Sequence, residues 1–128
     1  MKNLTRLGLV LGLVAAVGVR PAAAQGAGGA APSAALIAKG DTVFHKTGLC
    51  YACHGSNAEG MVGPNLTDAE WIHGDGSIDM IVATVTSGIP KEKSKSGIVM
   101  PPKGGSSISD EDVKAVAAYV YSLSHKGS

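Results

Sequence analysis

Aromatic side chains are scarce in this chain of 128 residues, which contains one tryptophan, one phenylalanine and three tyrosines, or 4% of the total. A core with so few bulky groups is small, and side chains alone are not expected to fill it. The length allows a single domain and excludes a multidomain protein. The sequence also lacks internal repeats and sustained alternation of apolar and polar residues, which argues against repeat architectures and half-exposed strands.

Positive charge is in short supply as well. Three of the eleven basic residues, Lys2, Arg6 and Arg20, belong to an N-terminal segment that is expected to be removed. From residue 25 onward, eight basic and ten acidic residues leave a net charge of −2. Binding to nucleic acid through its phosphates needs a broad positive face. We therefore expect no nucleic-acid partner.

The N-terminal segment has the pattern of a secretory signal peptide. Lys2 and Arg6 precede an apolar run at residues 7–19, and the alanines at 22–24 offer a cleavage site. An uncleaved anchor is the alternative, but the run is shorter than the roughly 20 residues that cross a bilayer. We expect a signal peptide at residues 1–24, a periplasmic location, and no stable membrane insertion after cleavage. Residues 25–34 are expected to be a flexible lead-in to one domain at residues 35–126.

Helix signals dominate that domain and predict an all-α fold of about four helices with long loops. Ser33, Ser77 and Ser109 are suitable N-caps before apolar residues at helical spacing. Thr67 and Glu70 form a capping-box pattern, which predicts a further short helix. The predicted helices cover residues 33–48, 67–73, 77–88 and 109 onward.

Both cysteines lie in one string, Cys50-Tyr51-Ala52-Cys53-His54. The C-x-x-C-H pattern is typical of a c-type haem attachment site. Two thiols three positions apart can form thioethers to one porphyrin edge, and the imidazole of the next residue can reach the iron. The sequence therefore predicts one haem c, covalently bound through Cys50 and Cys53, with His54 as an axial ligand.

Three other interpretations of this string are open but weaker. A zinc site would need further ligands from His45, His73 or His125, and none has a recognisable finger spacing. A thioredoxin-like redox pair needs a βαβ context that the flanking sequence does not show. A structural disulfide would close a very small loop and leave His54 without a role.

A second axial ligand is expected well downstream, and Met100 is the candidate. Its thioether is a soft ligand, and two prolines directly after it force its backbone away from helical geometry. Met61 is too close to the motif in sequence to cross the ring easily. Met80 falls in the third predicted helix, where a packing role is expected, and His73 is the alternative ligand.

These residues together resemble a monohaem class I cytochrome c over about residues 35–125. The chain is most similar to the haem domains in the cytochrome c subunit of cbb-type oxidases, and is expected to stand alone, without their membrane anchor or second haem motif. The features that match are Gly40, Phe44, C-Y-A-C-H, Gly63-Pro64-Asn65-Leu66, Trp71, Met100-Pro101 and Ala117-Ala118-Tyr119-Val120.

The resemblance implies a small cytochrome c fold wrapped around the haem, and further roles for particular residues. The carbonyl of Pro64 would accept the ring N–H of His54 and orient the imidazole. Trp71 would donate its indole N–H near a haem propionate. Gly40 would allow the first and last helices to cross closely. The cysteine edge of the haem is expected to be exposed, where electrons would leave.

Ligation by histidine and methionine leaves no open position on the iron and raises its reduction potential. The sequence therefore predicts a one-electron carrier, not an enzyme, that shuttles between respiratory or photosynthetic redox partners. These partners would be a dehydrogenase or cytochrome complex as donor and an oxidase or similar acceptor. The protein is expected to be a monomer. Alternatives are an electron-transfer subunit within a dehydrogenase or terminal oxidase complex, and a haem-based ligand sensor or peroxidase if Met100 is displaceable.

A lysine-rich loop precedes the candidate methionine. Lys91, Lys93 and Lys95, with Lys103 beyond, could form a basic rim for an acidic partner, because complementary charge accelerates encounter. A solvated loop is the simpler interpretation, since Glu92 dilutes the positive charge.

Overall fold

The computed structural model describes residues 30–126 of the chain. The predicted signal peptide at 1–24 lies outside this range, as does half of the predicted lead-in at 25–34. Both boundaries therefore stay predictions. Within residues 30–126, no helix is both long and apolar enough to cross a membrane.

Four α-helices form the framework, in agreement with the predicted all-α class. They are α1 (Ala34–Thr42), α2 (Tyr51–His54), α3 (Ile78–Ser87) and α4 (Asp110–Ser124). A π-helical turn, Val43–Thr47, continues α1, and two 3-10 turns cover Lys91–Lys93 and Pro102–Gly105. The described residues contain no strand, and their one β-type contact is an antiparallel bridge between Ile89 and Met100.

Three helices begin at the predicted caps. The hydroxyl groups of Ser33 and Ser77 accept hydrogen bonds from backbone N–H groups in the first turns of α1 and α3. Ser109 and Asp112 form a reciprocal capping box at the start of α4. These caps satisfy N–H groups that a helix leaves without partners, so they fix where each helix begins.

The predicted helix at residues 67–73 is wrong, because this segment folds as a series of bends. Both the N–H and the hydroxyl of Thr67 donate to the Asn65 side chain, at 2.8 and 2.7 Å. Glu70 N–H donates to the Asp68 carboxylate at 3.1 Å. The polar side chains therefore form local turns that compete with a helix. Helix α2, within the cysteine motif, was not predicted.

The core lies where α1 and the π-helical turn cross α4. Phe44 is fully buried, and Val113 and Val116 are each 1% exposed. At the crossing, a Cβ on Gly40 would collide with the carbonyl group of Ala115, so only glycine allows this approach. The ring of Phe44 contacts Tyr119 with centroids 5.4 Å apart. This packing matches the crossing that the resemblance implied. Helix α3 packs on the other side of α4.

Candidate haem-binding site

A cavity of about 500 Å³ lies between the α2 region, α3, α4 and the loops before and after α3. Its walls are mainly apolar and include Phe44, Leu66, Ile81, Val85 and Val116. The residues predicted for the site all line this cavity, and they are Cys50, Cys53, His54, Pro64, Trp71 and Met100. Segments far apart in sequence are thus brought to one space, although the role of each residue stays a prediction.

The two thiols lie at one end of the cavity, at and within α2. Both are free; Cys50 is partly buried and Cys53 is exposed. The Cys50 sulfur lies 3.6 Å from the Gly48 carbonyl oxygen. Burial raises the pKa of the Cys50 thiol to about 11. Redox-active C-x-x-C motifs instead have a lowered thiol pKa, so this environment does not favour the thioredoxin-like alternative.

The His54 ring is buried, with 8% of the residue exposed. Its Nδ1 lies 2.9 Å from the Pro64 carbonyl oxygen, which can only accept, so Nδ1 carries the proton. Burial lowers the pKa of His54, and the Pro64 carbonyl opposes that effect in part. The ring is therefore neutral at pH 7, with a lone pair on Nε2 that is available to a metal.

Gly63 makes room for this ring. A Cβ at position 63 would lie 2.8 Å from Cε1 and 2.9 Å from Nδ1 of His54, which is too close for any side chain. Gly63 N–H also donates to the Cys53 carbonyl at 2.9 Å. The loop after the motif is thus held directly against the imidazole.

Met100 lies at the far end of the lysine-rich loop, where its backbone is held from both sides. Its N–H donates to Ile89 at 2.9 Å, and its carbonyl accepts from Ile89 at 2.8 Å. Gly88 contacts the same carbonyl, since a Cβ there would collide with it. The sequence does not indicate that Ile89 supports Met100, since only the prolines after Met100 distinguish this segment.

Of the three alternative ligands, two line the same cavity and one does not. Met61 and His73 line the cavity, and Met61 is 70% exposed. Met80 does not line it; its side chain lies against Gly74 but is 39% exposed and outside the core, so the packing role predicted for it stays a prediction. Trp71 is half-buried on the cavity wall. Within residues 30–126, no three His, Cys, Asp or Glu side chains converge as metal ligands, so the zinc alternative has no support.

The four lysines differ in their surroundings. Lys103 donates to the Asp110 carboxylate at 2.9 Å and to the Ile108 carbonyl at 3.0 Å. It supports the start of α4 and is not free to form a docking rim. Lys91, Lys93 and Lys95 have no ion pair within the described part of the chain, and Lys95 lines the cavity.

The residues fit a covalently attached haem. The cavity has an apolar wall, two free thiols at one end, an imidazole nitrogen with a free lone pair, and a thioether on a fixed backbone. Gly63 shows that the space around the imidazole is kept open by the absence of a side chain. Thiolate, imidazole and thioether groups are the usual protein ligands and attachment points of haem iron proteins.

Known proteins are similar to this chain in sequence. A family described as "Cytochrome C oxidase, cbb3-type, subunit III" matches residues 35–120. The chain is 43% identical over 89 residues to the cbb3-type cytochrome c oxidase subunit CcoP of Rubrivivax gelatinosus, covering 69% of this chain and 26% of that protein. It is 38% identical over 93 residues to the CcoP subunit of Cereibacter sphaeroides, covering 70% of this chain and 28% of that protein.

A solved structure agrees on the fold. Cytochrome CL from Methylophaga aminisulfidivorans matches with a TM-score of 0.55 and 22% identity, covering 72% of this chain and 55% of that one. The chain spans only about a quarter of the length of the curated oxidase subunits. What the relatives share with it is this one domain. The chain therefore belongs to the cytochrome c domain family of cbb3 oxidase subunit III and is a class I cytochrome c.

Proposed function

We propose that this domain transfers single electrons through one haem c that is covalently bound to Cys50 and Cys53. The observation that carries the proposal is that both thiols, His54 and Met100 line one apolar cavity. The membership in the cytochrome c family supports it, because electron transfer is the shared activity of this class of domain.

Each residue has a distinct task. The thiols form the two thioether attachments, and the Cys50 thiol is protonated until it reacts, in keeping with its raised pKa. His54 would supply Nε2 as a ligand to the iron, and Pro64 holds its ring by the Nδ1 proton. Such a bond orients a ligating imidazole and increases its basicity. Met100 would supply its thioether sulfur as the second ligand.

A haem held in this way supplies a one-electron iron couple whose potential is raised by methionine. The protein contributes a largely apolar surrounding for the haem, with Trp71 on the cavity wall. If His54 and Met100 both bind the iron, no coordination position would be left for a substrate. We therefore propose a carrier rather than an enzyme.

The relatives favour an oxidase as redox partner. The curated relatives named above are subunits of cbb3-type cytochrome c oxidases. This favours the alternative of an electron-transfer subunit working with a terminal oxidase over a freely diffusing shuttle. We propose that the domain passes electrons to such an oxidase on the outer side of the membrane, after export by the segment at residues 1–24.

The Met100 backbone argues against a ligand sensor or peroxidase. Displacing the sulfur from iron would require the side chain to swing away or the Ile89–Met100 bridge to break. The lysine loop at residues 90–99 can move without breaking that bridge. We therefore expect the iron to stay closed to small ligands at neutral pH.

Absorption spectra of the exported protein in both redox states test the proposal. We expect c-type haem bands that persist after acidic organic extraction, and a weak sulfur-to-iron band near the red end. Carbon monoxide should leave the reduced spectrum unchanged. A colourless protein, or pigment lost on extraction, would refute covalent haem. Size-exclusion chromatography of a native extract then separates the two modes of action, since a complex-bound subunit elutes with an oxidase and a shuttle elutes alone.

A further inference from the structure

His45 lies outside the cavity, in the π-helical turn, and its ring nitrogens make three polar contacts. Its Nδ1 lies 2.9 Å from a carboxylate oxygen of Asp41 and 3.0 Å from the Asp41 carbonyl oxygen. Its Nε2 lies 2.7 Å from the carbonyl oxygen of Ser56, in the loop that follows His54. The ring therefore connects the end of α1 to the loop behind the axial histidine.

Every one of these oxygen atoms is an acceptor, so both ring nitrogens must donate. Only the imidazolium form of histidine carries a proton on each nitrogen. In either neutral tautomer, one nitrogen lone pair would face an oxygen lone pair, either at Asp41 or at Ser56. The geometry of the ring is thus the geometry of a charged histidine.

The surroundings support the charged form. The Ser56 carbonyl, more than any other group, raises the pKa of His45 above its ordinary value; partial burial opposes this and Asp41 adds to it. The other titratable groups around the ring are Tyr51 on α2, with ring centroids 6.4 Å apart, and Tyr119 on α4, at 6.1 Å. Burial and the nearby Asp41 raise the pKa of Tyr119. Asp41 is the one carboxylic acid among these groups.

The loop on the other side of this bond leads to the axial histidine by a short series of contacts. Ala58, two residues after Ser56, is fully buried and has a left-handed backbone with φ of 58°. Its carbonyl accepts from Leu66 N–H at 2.8 Å. Leu66 lies two residues after Pro64, whose carbonyl holds the His54 ring. The Ala58–Leu66 bond therefore joins the part of the loop that contacts His45 to the part that contacts His54.

We propose that His45 is a positioning residue for the haem-binding loop, and that its imidazolium clamps the Ser56 carbonyl so that the Pro64 acceptor stays in place against His54. This role rests on the proposed function, because it matters only if His54 is an axial ligand. It also makes the loop sensitive to pH. The clamp is complete below the unfolded-state pKa of histidine, about 6.5, and is lost as pH rises through the raised pKa of the folded state.

The test uses the haem-loaded protein. Ring resonances of His45 are followed by NMR against pH, and amide hydrogen exchange is measured at Ala58, Gly60 and Leu66 over the same range. We expect His45 to titrate above about 6.5. The protection factors of the three amides, corrected for the intrinsic rate, should fall about tenfold as the proton is lost, because a bond to a charged donor is broken.

Three variants sharpen the test. His45→Gln can still donate to Ser56 but cannot titrate, so protection should no longer depend on pH. Asp41→Asn should lower the pKa of His45 and shift the exchange transition with it, which keeps the proposal testable if His45→Gln does not fold. His125→Gln is the matched control, because His125 Nδ1 also donates to a backbone carbonyl, that of Tyr121, and its ring stacks on the same tyrosine, but it has no contact with the loop.

The outcomes are distinct. Parallel transitions in the His45 resonance and in amide protection support the clamp, and an unchanged transition in His125→Gln assigns it to His45. A His45 titration at or below about 6.5, or one that leaves amide protection flat, overturns the proposal. The absorption spectrum of the same sample shows whether haem is bound. A failure of the haem proposal is therefore distinguished from a failure of the His45 proposal.

Discussion

The Nδ1 atom of His54 lies 2.9 Å from the carbonyl oxygen of Pro64, and Gly63 packs against the same ring. The ring is thus fixed both by a hydrogen bond and by a backbone without a side chain next to it. Any group added at position 63 must move either the ring or the loop.

Gly63→Ala is therefore expected to disturb His54, the proposed axial ligand. The new Cβ would lie 2.8 Å from the ring, so the imidazole must tilt and the bond to Pro64 must lengthen. We expect a measurable change in reduction potential and in the ligand-dependent bands of the spectrum. Gly97→Ala is the control: nothing lies within 4 Å of its Cβ, although φ of 71° makes it cost about 1–2 kcal/mol. A potential that changes equally in both variants would contradict this expectation.

Met100→Ala should remove the second axial ligand. We expect the weak sulfur-to-iron band to disappear, the reduction potential to fall, and carbon monoxide to bind the reduced protein, because an open position is created. Met80→Ala is the matched control, since Met80 does not line the cavity. If Met100→Ala keeps all three properties, Met61 or His73 is the ligand, and the same measurements on their alanine variants decide between them.

The two cysteines should hold the haem by separate bonds. In Cys50→Ser or Cys53→Ser, one thioether remains and the pigment should stay with the protein on a denaturing gel. In the double variant, the pigment should migrate away from the chain or be absent after export. Haem staining of the gel makes the measurement, and a double variant that retains covalent pigment would contradict attachment at these positions.

Gly40→Ala should destabilise the crossing of α1 and α4 even though alanine is the better helix former. The added Cβ collides with the Ala115 carbonyl and lies 2.7 Å from Cβ of Tyr119. Overpacking of this kind costs about 1–3 kcal/mol. The control is Ala35→Gly on the exposed side of α1, which should cost about 1 kcal/mol from helix propensity alone. Chemical unfolding gives both values, and equal stability of wild type and Gly40→Ala would be the contrary result.

Asp112 should stabilise the fold only while it is ionised. Bonds from Lys39, at 3.0 Å, and from Ser109 lower the pKa of its carboxyl. A lowered pKa means that the contribution is present above the unfolded value, near 3.9, and is lost as pH falls through the lower folded value. We therefore expect Asp112→Asn to lower Tm at pH 7 and to differ little from wild type near pH 2.

Glu111, the residue next to Asp112, provides the control variant. Glu111 is 88% exposed and lies 3.9 Å from Lys39, so Glu111→Gln should change Tm much less. Thermal unfolding followed by circular dichroism at the two pH values measures both variants. A difference between Asp112→Asn and wild type that grows as the pH falls would have the wrong sign.

Several residues that line the cavity could be identified from the sequence because they are neighbours in it, although their roles stay predictions. Cys50, Cys53 and His54 lie within five consecutive positions, and Met100 is marked by the prolines that follow it. Helix starts at Ser33, Ser77 and Ser109 were predicted from caps that each helix forms with its own first turn. In these places, a few neighbouring residues determine the structure without help from the rest of the fold.

The remaining features depend on contacts that the sequence does not display. Thr67 and Glu70 have the residue types of a capping box, but Asn65 and Asp68 offer them closer partners. The bridge from Ile89 to Met100 and the bond from His45 to Ser56 join residues eleven positions apart through loops with no periodicity. Only the folded chain shows that these backbone groups meet.

The bridge between Ile89 and Met100 fixes the position of the Met100 backbone whatever the sequence of the segment between the two residues. Residues 90–99 leave and re-enter the domain at one fixed point, so insertions, deletions or charge changes there need not shift the methionine. The segment could therefore differ in length or charge without moving the Met100 backbone. The site also offers protein engineers a place to graft a recognition peptide beside the haem.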